Sequence, residues 1–285
     1  LRVPDGESGN SFGYSVSLHN GTAVIGDIRN ADISRHSGAA YVFVHDGNGN
    51  WSFQKKLSPS SDSEIDTLFG ASVAIKGDTI IVGAYGDKQG TDFNKIGSAY
   101  VFIREQGNWS EQAKLIAADA GPLRSFGNRV AIQDDRVIIN STGGVYLFTR
   151  DDNAVWTEQV KLSPLDSVSS IAFNDSHIVM GSSWSDQDSY RAGAVHIYIE
   201  HNVDGWTLTD TVFASDIKTL DKFGSHIALS NNVLVVSNSP SAGAKSVYVF
   251  EKGADGSWQE QNRIDASDAL NNESYAGSLS LDNDT

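Results

Sequence analysis

The most constraining feature of the chain is a sequence unit that recurs at a step of roughly fifty residues. Most copies open on a Phe-Gly pair, which stands at 12–13, 69–70, 126–127 and 223–224, with a degenerate copy near Ser167 and a final "YAG" at Tyr275. A repeat of this length is typical of solenoids, arrays and propellers. The chain is therefore expected to form one repeat array rather than unrelated domains.

Each copy contains four short apolar segments of strand length, which in the second copy are ASVAI, TIIVGA, SAYVFIR and WSEQAKL. Val, Ile, Tyr, Phe and Trp are enriched in these segments, whereas Gly, Asn and Asp collect between them, as in strands and hairpins. The connections HNGT, KGDT and EQGN are typical hairpin turns, because Asn-Gly and Gly-Asp pairs tolerate positive φ. The pattern predicts an all-β fold, a β-propeller of four-stranded antiparallel blades.

The unit resembles the FG-GAP repeat of integrin α-subunit propellers. The resemblance covers essentially the whole chain and rests on the four Phe-Gly pairs, on the VGA at Val82 to Ala84 and on the Tyr-Val-Phe segments. It implies a single propeller domain over 1–285, with blades at about 12–68, 69–125, 126–166, 167–222 and 223–274 and a partial blade from 1–11 plus 275–285. Five repeats either close by themselves or belong to a six- or seven-bladed ring. In such blades, the Phe is expected to pack between neighbouring sheets and the Gly to let backbones approach.

The resemblance also implies where calcium would bind. In the family, a D-x-D-x-D-G segment between the first and second strands supplies the oxygen ligands. Here those positions are HNGT, KGDT, QDDR, NDSH and SNNV, with at most two acids each, so we predict no cofactor and no metal site in these turns. Acids cluster instead before the Phe-Gly pairs, where turn hydrogen bonding is expected and a cation site stays open as the alternative. These acids are Asp62, Asp66, Asp119, Asp216 and Asp221.

The long connections between the second and third strands are the predicted binding surface, because loops on a rigid scaffold commonly carry recognition. The predicted binding residues are Tyr85, Asp87, Phe93, Trp184, Asp186 and Tyr190. Their aromatic rings could stack on a sugar or contact a protein partner. The alternative is that these rings only cover a blade edge.

Asn-X-Ser/Thr sequons form a second pattern. The candidates for glycosylation are Asn20, Asn50, Asn108, Asn140, Asn174 and Asn272. Asn20, Asn50, Asn108 and Asn174 fall in hairpin turns predicted to lie on the face opposite the long loops. Glycosylation would indicate a secreted route, whereas the alternative is that these sequons reflect ordinary hairpin composition.

Charge and motif content narrow the classes of function. The formal net charge of −15 disfavours nucleic acid and anionic membrane surfaces, and no membrane-spanning apolar segment is present. The chain has no Cys and no G-x-S-x-G, H-E-x-x-H or phosphate-loop motif, and its seven His residues are out of register and expected at surfaces or turns.

We therefore predict that the chain is not an enzyme but an extracellular or cell-surface binding and adhesion module for a protein or glycan partner. The main alternative is a structural subunit of a surface or filament assembly, in which copies or other chains pair through exposed strand edges. A polysaccharide-active enzyme is the weaker alternative, because paired carboxylates can be distant in sequence.

Overall fold

The fold is all-β in the computed structural model, which describes residues 1–5, 10–59, 65–88, 95–122, 124–201, 205–240, 245–265 and 276–281. These ranges contain twenty strands and no helix. The strands form five four-stranded antiparallel sheets in chain order, which confirms the predicted propeller of four-stranded blades. We call the sheets blades 1 to 5. The chain divides into two compact units, residues 1–163 and 164–285.

Residues 1–163 contain blades 1 to 3. Blade 1 consists of β1 (Phe12–His19), β2 (Thr22–Asp27), β3 (Ala39–His45) and β4 (Trp51–Leu57). Blade 2 consists of β5 (Ser72–Lys76), β6 (Thr79–Ala84), β7 (Ser98–Glu105) and β8 (Asn108–Leu115). Blade 3 consists of β9 (Val130–Gln133), β10 (Arg136–Ser141), β11 (Gly144–Arg150) and β12 (Trp156–Leu162).

Residues 164–285 contain blades 4 and 5. Blade 4 consists of β13 (Ser170–Phe173), β14 (His177–Ser182), β15 (Ala194–His201) and β16 (Gly205–Val212). Blade 5 consists of β17 (His226–Ser230), β18 (Val233–Ser237), β19 (Ser246–Lys252) and β20 (Trp258–Asp265). The degenerate copy near Ser167 thus still forms a complete sheet, with a short first strand.

The third and fourth strands of every blade share one irregularity. A β-bulge interrupts their register, between Val42/Phe43, Val101/Phe102, Leu147/Phe148, Ile197/Tyr198 and Val249/Phe250. A bulge adds one residue to one strand and re-aims the side chains beyond it. The bulge explains why apolar residues in the fourth strand of each blade stand at every second or fourth position instead of alternating strictly with polar residues.

The Phe-Gly pairs at 69–70, 126–127 and 223–224 are packing residues, as predicted, whereas a Cβ on Gly13 of the first pair would meet nothing within 4 Å. Phe69 is 0% exposed, belongs to a buried cluster that includes Val24 of blade 1, and meets the Tyr100 ring edge-on at 5.4 Å between centroids. The glycines allow the backbones of adjacent blades to touch: a Cβ on Gly83 would lie 2.0 Å from the carbonyl oxygen of Gly127. No side chain fits at that distance, so the recurrent Gly residues set the spacing between blades.

Four blades carry the same polar cluster around a buried Tyr, at the end of the sheet that bears the long loops. A third-strand Tyr stands opposite a fourth-strand Lys or Arg, and both contact one Asp. In blade 3, the Tyr146 hydroxyl donates to Asp119 at 2.7 Å and the Lys161 ammonium lies 2.6 Å from the same carboxylate. These hydrogen bonds hold the pKa of Asp119 below its usual range.

Equivalent clusters tie an Asp to the sheet in blades 1, 2 and 5. Their members are Tyr41, Lys56 and Asp5; Tyr100, Lys114 and Asp87; and Tyr248, Arg263 and Asp216. Of the acids predicted to make turn hydrogen bonds, Asp119 and Asp216 instead join these clusters, Asp221 accepts a local backbone amide, and Asp62 lies outside the described residues. Blade 4 departs from the pattern, because His196 and Thr211 replace the Tyr and the cation, and Asp166 lies 3.7 Å from the imidazole. Burial lowers the pKa of His196, although Asp166 opposes the shift.

Candidate functional site

The candidate site lies in the loop between β14 and β15 of blade 4, residues 183–193. This loop runs beside the connection that enters blade 5: the Leu220 amide donates to the Tyr190 carbonyl at 2.9 Å and the Lys222 amide to the Arg191 carbonyl at 3.2 Å. Gly193 and Phe223 continue this parallel pairing. Backbone hydrogen bonds therefore bring together two segments about thirty residues apart in sequence.

The loop is also closed upon itself. The Arg191 amide donates to the Asp186 carboxylate at 2.6 Å, and the Gly193 amide donates to the Ser185 carbonyl at 3.2 Å. Arg191 adopts a φ of 49°, in the left-handed region that side chains rarely enter. Asp186, a predicted binding residue, thus positions Arg191 in the loop.

Four side chains meet at the outer surface of this loop, and we call them the aromatic–cation cluster: Trp184, Tyr190, Arg191 and Lys222. The Arg191 guanidinium lies 4.7 Å from the Trp184 ring centroid and 5.0 Å from that of Tyr190. The Lys222 ammonium lies 4.9 Å from the Trp184 centroid. Trp184 and Tyr190 are nevertheless 49% and 54% exposed, so the cluster presents two aromatic rings and two cations to solvent.

The two cations of the cluster have no acidic partner within the described ranges. No carboxylate there lies within 4.0 Å of the Arg191 guanidinium or the Lys222 ammonium. The adjacent Asp221 instead accepts the Lys218 amide at 2.7 Å, and burial raises the pKa of Asp221. Unneutralised cations are notable in a chain whose net charge is −15.

Blade 1 has the same backbone arrangement with a different set of side chains. Its loop, residues 28–38, has the same length as the blade 4 loop. The Asp66 amide donates to the Arg35 carbonyl and the Leu68 amide to the His36 carbonyl. These two hydrogen bonds correspond to those that Leu220 and Lys222 make in blade 4. In blade 1 an acid closes the site: Asp66 lies 2.9 Å from Arg35 and 3.0 Å from His36. Burial raises the pKa of Asp66, but these two hydrogen bonds outweigh it and the pKa is lowered.

The predicted binding residues of blade 2 are arranged differently. Asp87 is 4% exposed and its carboxylate contacts Ser98, Tyr100 and Lys114, so it holds the loop to the sheet from inside. Tyr85 is half-buried, and burial raises the pKa of its phenol. Phe93 lies outside the described residues. Of the predicted set, the structure brings Trp184, Asp186 and Tyr190 together.

The sequons mostly occupy the other end of the sheets. Asn20, Asn50 and Asn108 are exposed in or beside the hairpin turns, and Asn174 is half-buried with its side chain accepting the His177 amide at 2.8 Å. By the antiparallel strand order, these turns lie opposite the loops between second and third strands. Two further candidates differ. Asn140 is 3% exposed within β10, where a glycan would displace neighbouring strands, and Asn272 lies outside the described residues.

Two histidines are buried, contrary to the expectation that all of them lie at surfaces or turns. His196 is 0% exposed and His177 is 3% exposed. The His177 Nε2 accepts from the Lys252 ammonium at 2.8 Å, and its ring packs edge-on against Trp258 at 5.7 Å. Burial, reinforced by the nearby Lys252 charge, lowers the pKa of His177 to about 4.

Neither a metal centre nor a membrane span is evident in the part of the chain that the structure describes. That part contains no group of three or more His, Asp or Glu residues arranged to hold an ion. It also contains no helix long and apolar enough to cross a membrane.

Sequence reasoning missed both Arg191 and Lys222. The signal available was the alignment of the blade 4 loop with the blade 1 loop, which places Leu220 where Asp66 stands. That substitution removes the acid that neutralises the loop in blade 1.

Comparison with known proteins agrees with this architecture. The profile described as "FG-GAP repeat" matches residues 1–43, 51–102, 109–148 and 206–250. A search of curated proteins found no match. Among solved structures, a protein from Lactobacillus plantarum is similar with a TM-score of 0.59 and 15% identity, covering 88% of this chain and 70% of that chain. Saccharomyces cerevisiae Sqt1 is similar with a TM-score of 0.50 and 10% identity, covering 95% of this chain and 78% of that chain.

Identities this low show a shared fold alone, whereas the profile matches more than half of the chain and carries the family assignment. The matched segments include all four Phe-Gly pairs, those at 12–13, 69–70, 126–127 and 223–224. The chain therefore belongs to the FG-GAP repeat family of β-propellers.

Proposed function

We propose that this propeller is a binding module that recognises a protein or glycan partner through the aromatic–cation cluster, without making or breaking a covalent bond. The observation that carries the proposal is the exposure of Trp184 and Tyr190, whose ring centroids both lie within 5.0 Å of the Arg191 guanidinium, in a loop closed by backbone hydrogen bonds. Trp, Tyr and Arg are the residues most enriched at binding hot spots. A preorganised loop also loses little conformational entropy when it binds.

An extracellular or cell-surface location, with a role in adhesion, completes the proposal. FG-GAP repeats are commonly extracellular and typically non-enzymatic. The acidic surface and the exposed sequons Asn20, Asn50 and Asn108 are compatible with a secreted, glycosylated protein. Glycans in those turns would leave the aromatic–cation cluster uncovered.

The test is binding of the purified chain to an array of glycans and peptides. Wild type is compared with the double variant Trp184→Ala/Tyr190→Ala. The control is Phe53→Ala, which removes a 41% exposed aromatic ring from β4 of blade 1. We expect the double variant to lose binding by more than about ten-fold and Phe53→Ala to retain it. Retained binding by the double variant, or no binding by wild type, would contradict the proposal.

A second candidate function, a structural subunit of an assembly, is favoured by the exposed face of β1. Val16 and Leu18 are 61% and 62% exposed, whereas their equivalents in blade 2, Val73 and Ile75, are 7% and 5% exposed against blade 1. In that contact, blade 1 contributes Leu57, and the equivalent residue of blade 5, Ile264, is 45% exposed. The occupant we propose is the blade 5 face of a second copy, docked as blade 1 docks on blade 2.

A further inference from the structure

We propose that the aromatic–cation cluster binds a carboxylate on an acidic segment of a protein partner, and that this carboxylate takes the place that Asp66 occupies in blade 1. The inference rests on the proposed function and specifies its ligand.

The chain itself contains the reference for this site. In blade 1, Asp66 follows blade 1's last strand and closes onto Arg35 and His36, which lie in the neighbouring loop. In blade 4, Leu220 occupies that backbone position, with the same hydrogen bond to the loop and nearly the same φ, 67° against 63°. Blade 4 thus has no acid at this position, while a cation, Arg191, stands at the position of His36, and no carboxylate of the described residues lies within 4.0 Å of its guanidinium.

The geometry of the cluster suits a carboxylate. Arg191 lies within 4.7 to 5.0 Å of two ring centroids, which fixes the guanidinium while its N–H groups retain their donor capacity. A carboxylate can accept two such N–H groups at once, and this pairing is stronger than a neutral hydrogen bond. Lys222, on the same Trp184 ring, adds a second cation within reach of the same ligand.

A peptide carboxylate fits the cluster better than an acidic sugar does. A sugar ring stacks on a free aromatic face, but two cations lie within 5 Å of the Trp184 centroid. The combination of Trp, Tyr and Arg on an exposed loop is instead typical of protein interfaces. Because the whole chain is strongly acidic, long-range charge opposes an acidic partner, and only a carboxylate placed against this cluster gains from the contact.

The experiment measures fluorescence anisotropy at low salt with three labelled probes: a short peptide of alternating Glu and Gly, its Gln counterpart, and an oligogalacturonate. The informative variant is Leu220→Asp, which restores the acid found in blade 1. Its matched control is Leu220→Asn, which has a similar size and tolerates positive φ but carries no charge. Arg191→Gln removes the cation, and Arg35→Gln removes a cation that Asp66 already neutralises.

We expect the Glu peptide to bind wild type at least about ten-fold more tightly than the Gln peptide does. Leu220→Asp and Arg191→Gln should each lose about ten-fold in affinity, while Leu220→Asn and Arg35→Gln should stay within about two-fold of wild type. Thermal unfolding should show Leu220→Asp as stable as wild type, because blade 1 carries Asp at this position.

Three results would overturn the inference: no preference for the Glu peptide, equal binding by Leu220→Asp and Leu220→Asn, or binding of oligogalacturonate alone, which would identify a glycan ligand. Trp184→Ala/Tyr190→Ala separates this failure from failure of the proposed function. If that variant loses the array ligands while the charge variants do not, only the carboxylate inference fails. If it loses nothing, the proposed function fails as well.

Discussion

Burial of a neutral His177 predicts that blade 4 and blade 5 lose stability in mildly acidic solution. His177 is 3% exposed, and its Nε2 accepts a hydrogen bond from Lys252 at 2.8 Å. Protonation would remove that acceptor and place two cations at hydrogen-bond distance. The folded state therefore keeps His177 neutral, and acidification from pH 7 to pH 5 is the perturbation.

The magnitude follows from the difference in pKa between the unfolded and folded states. The pKa falls from 6.5 to about 4, so the unfolded chain binds more protons between these values and stability rises with pH there. The contribution of neutral His177 to the free energy of unfolding is complete above pH 6.5 and decreases as the pH falls. Below pH 4 it is lost in full, which amounts to about 3 kcal/mol. Of this, about 2 kcal/mol is lost between pH 7 and pH 5.

The assay is urea unfolding of wild type and His177→Gln at pH 7, 6 and 5, with ΔG of unfolding compared at each pH. The Gln amide can still accept from Lys252 but does not titrate. His196 and the carboxylates titrate in both proteins, so the difference between the two isolates His177. We expect wild type to lose about 2 kcal/mol more than the variant does. Parallel pH dependences of the two proteins would refute the reasoning.

Two further predictions concern packing. Phe126→Ala should reduce the free energy of unfolding by about 3–5 kcal/mol, because this ring is 1% exposed and packs edge-on against Tyr146 and Phe148. The control is Val155→Ala at a 54% exposed site, which should change the free energy of unfolding by less than about 0.5 kcal/mol in the same urea assay. If copies dock through β1, light scattering should show particle mass rising with protein concentration, and Val16→Glu should yield monomers; a monomer at all concentrations in wild type would exclude this assembly.

The candidate site could be predicted only in part from the sequence. Trp184 and Tyr190 stand out in the sequence as aromatic residues in a long loop, and both are exposed in the structure. Asp87 has the same sequence context, yet it is buried beneath its loop and contacts Lys114. The local sequence does not indicate whether a loop side chain points inward or outward, because the strands that flank the loop set the direction of that side chain.

The sequence by itself determined the repeat, the four strands of each blade and the packing role of Phe and Gly. These follow from local rules: alternation, turn composition and the need of adjacent backbones for a residue without a side chain. Only the tertiary structure decided which distant side chains share a site. Lys222 reaches Trp184, and Asp66 reaches His36, because each connection pairs with the loop of the preceding blade. The same pairing places Leu220, and no acid of the described residues, beside Arg191, since charge balance at that point depends on contacts about thirty residues apart.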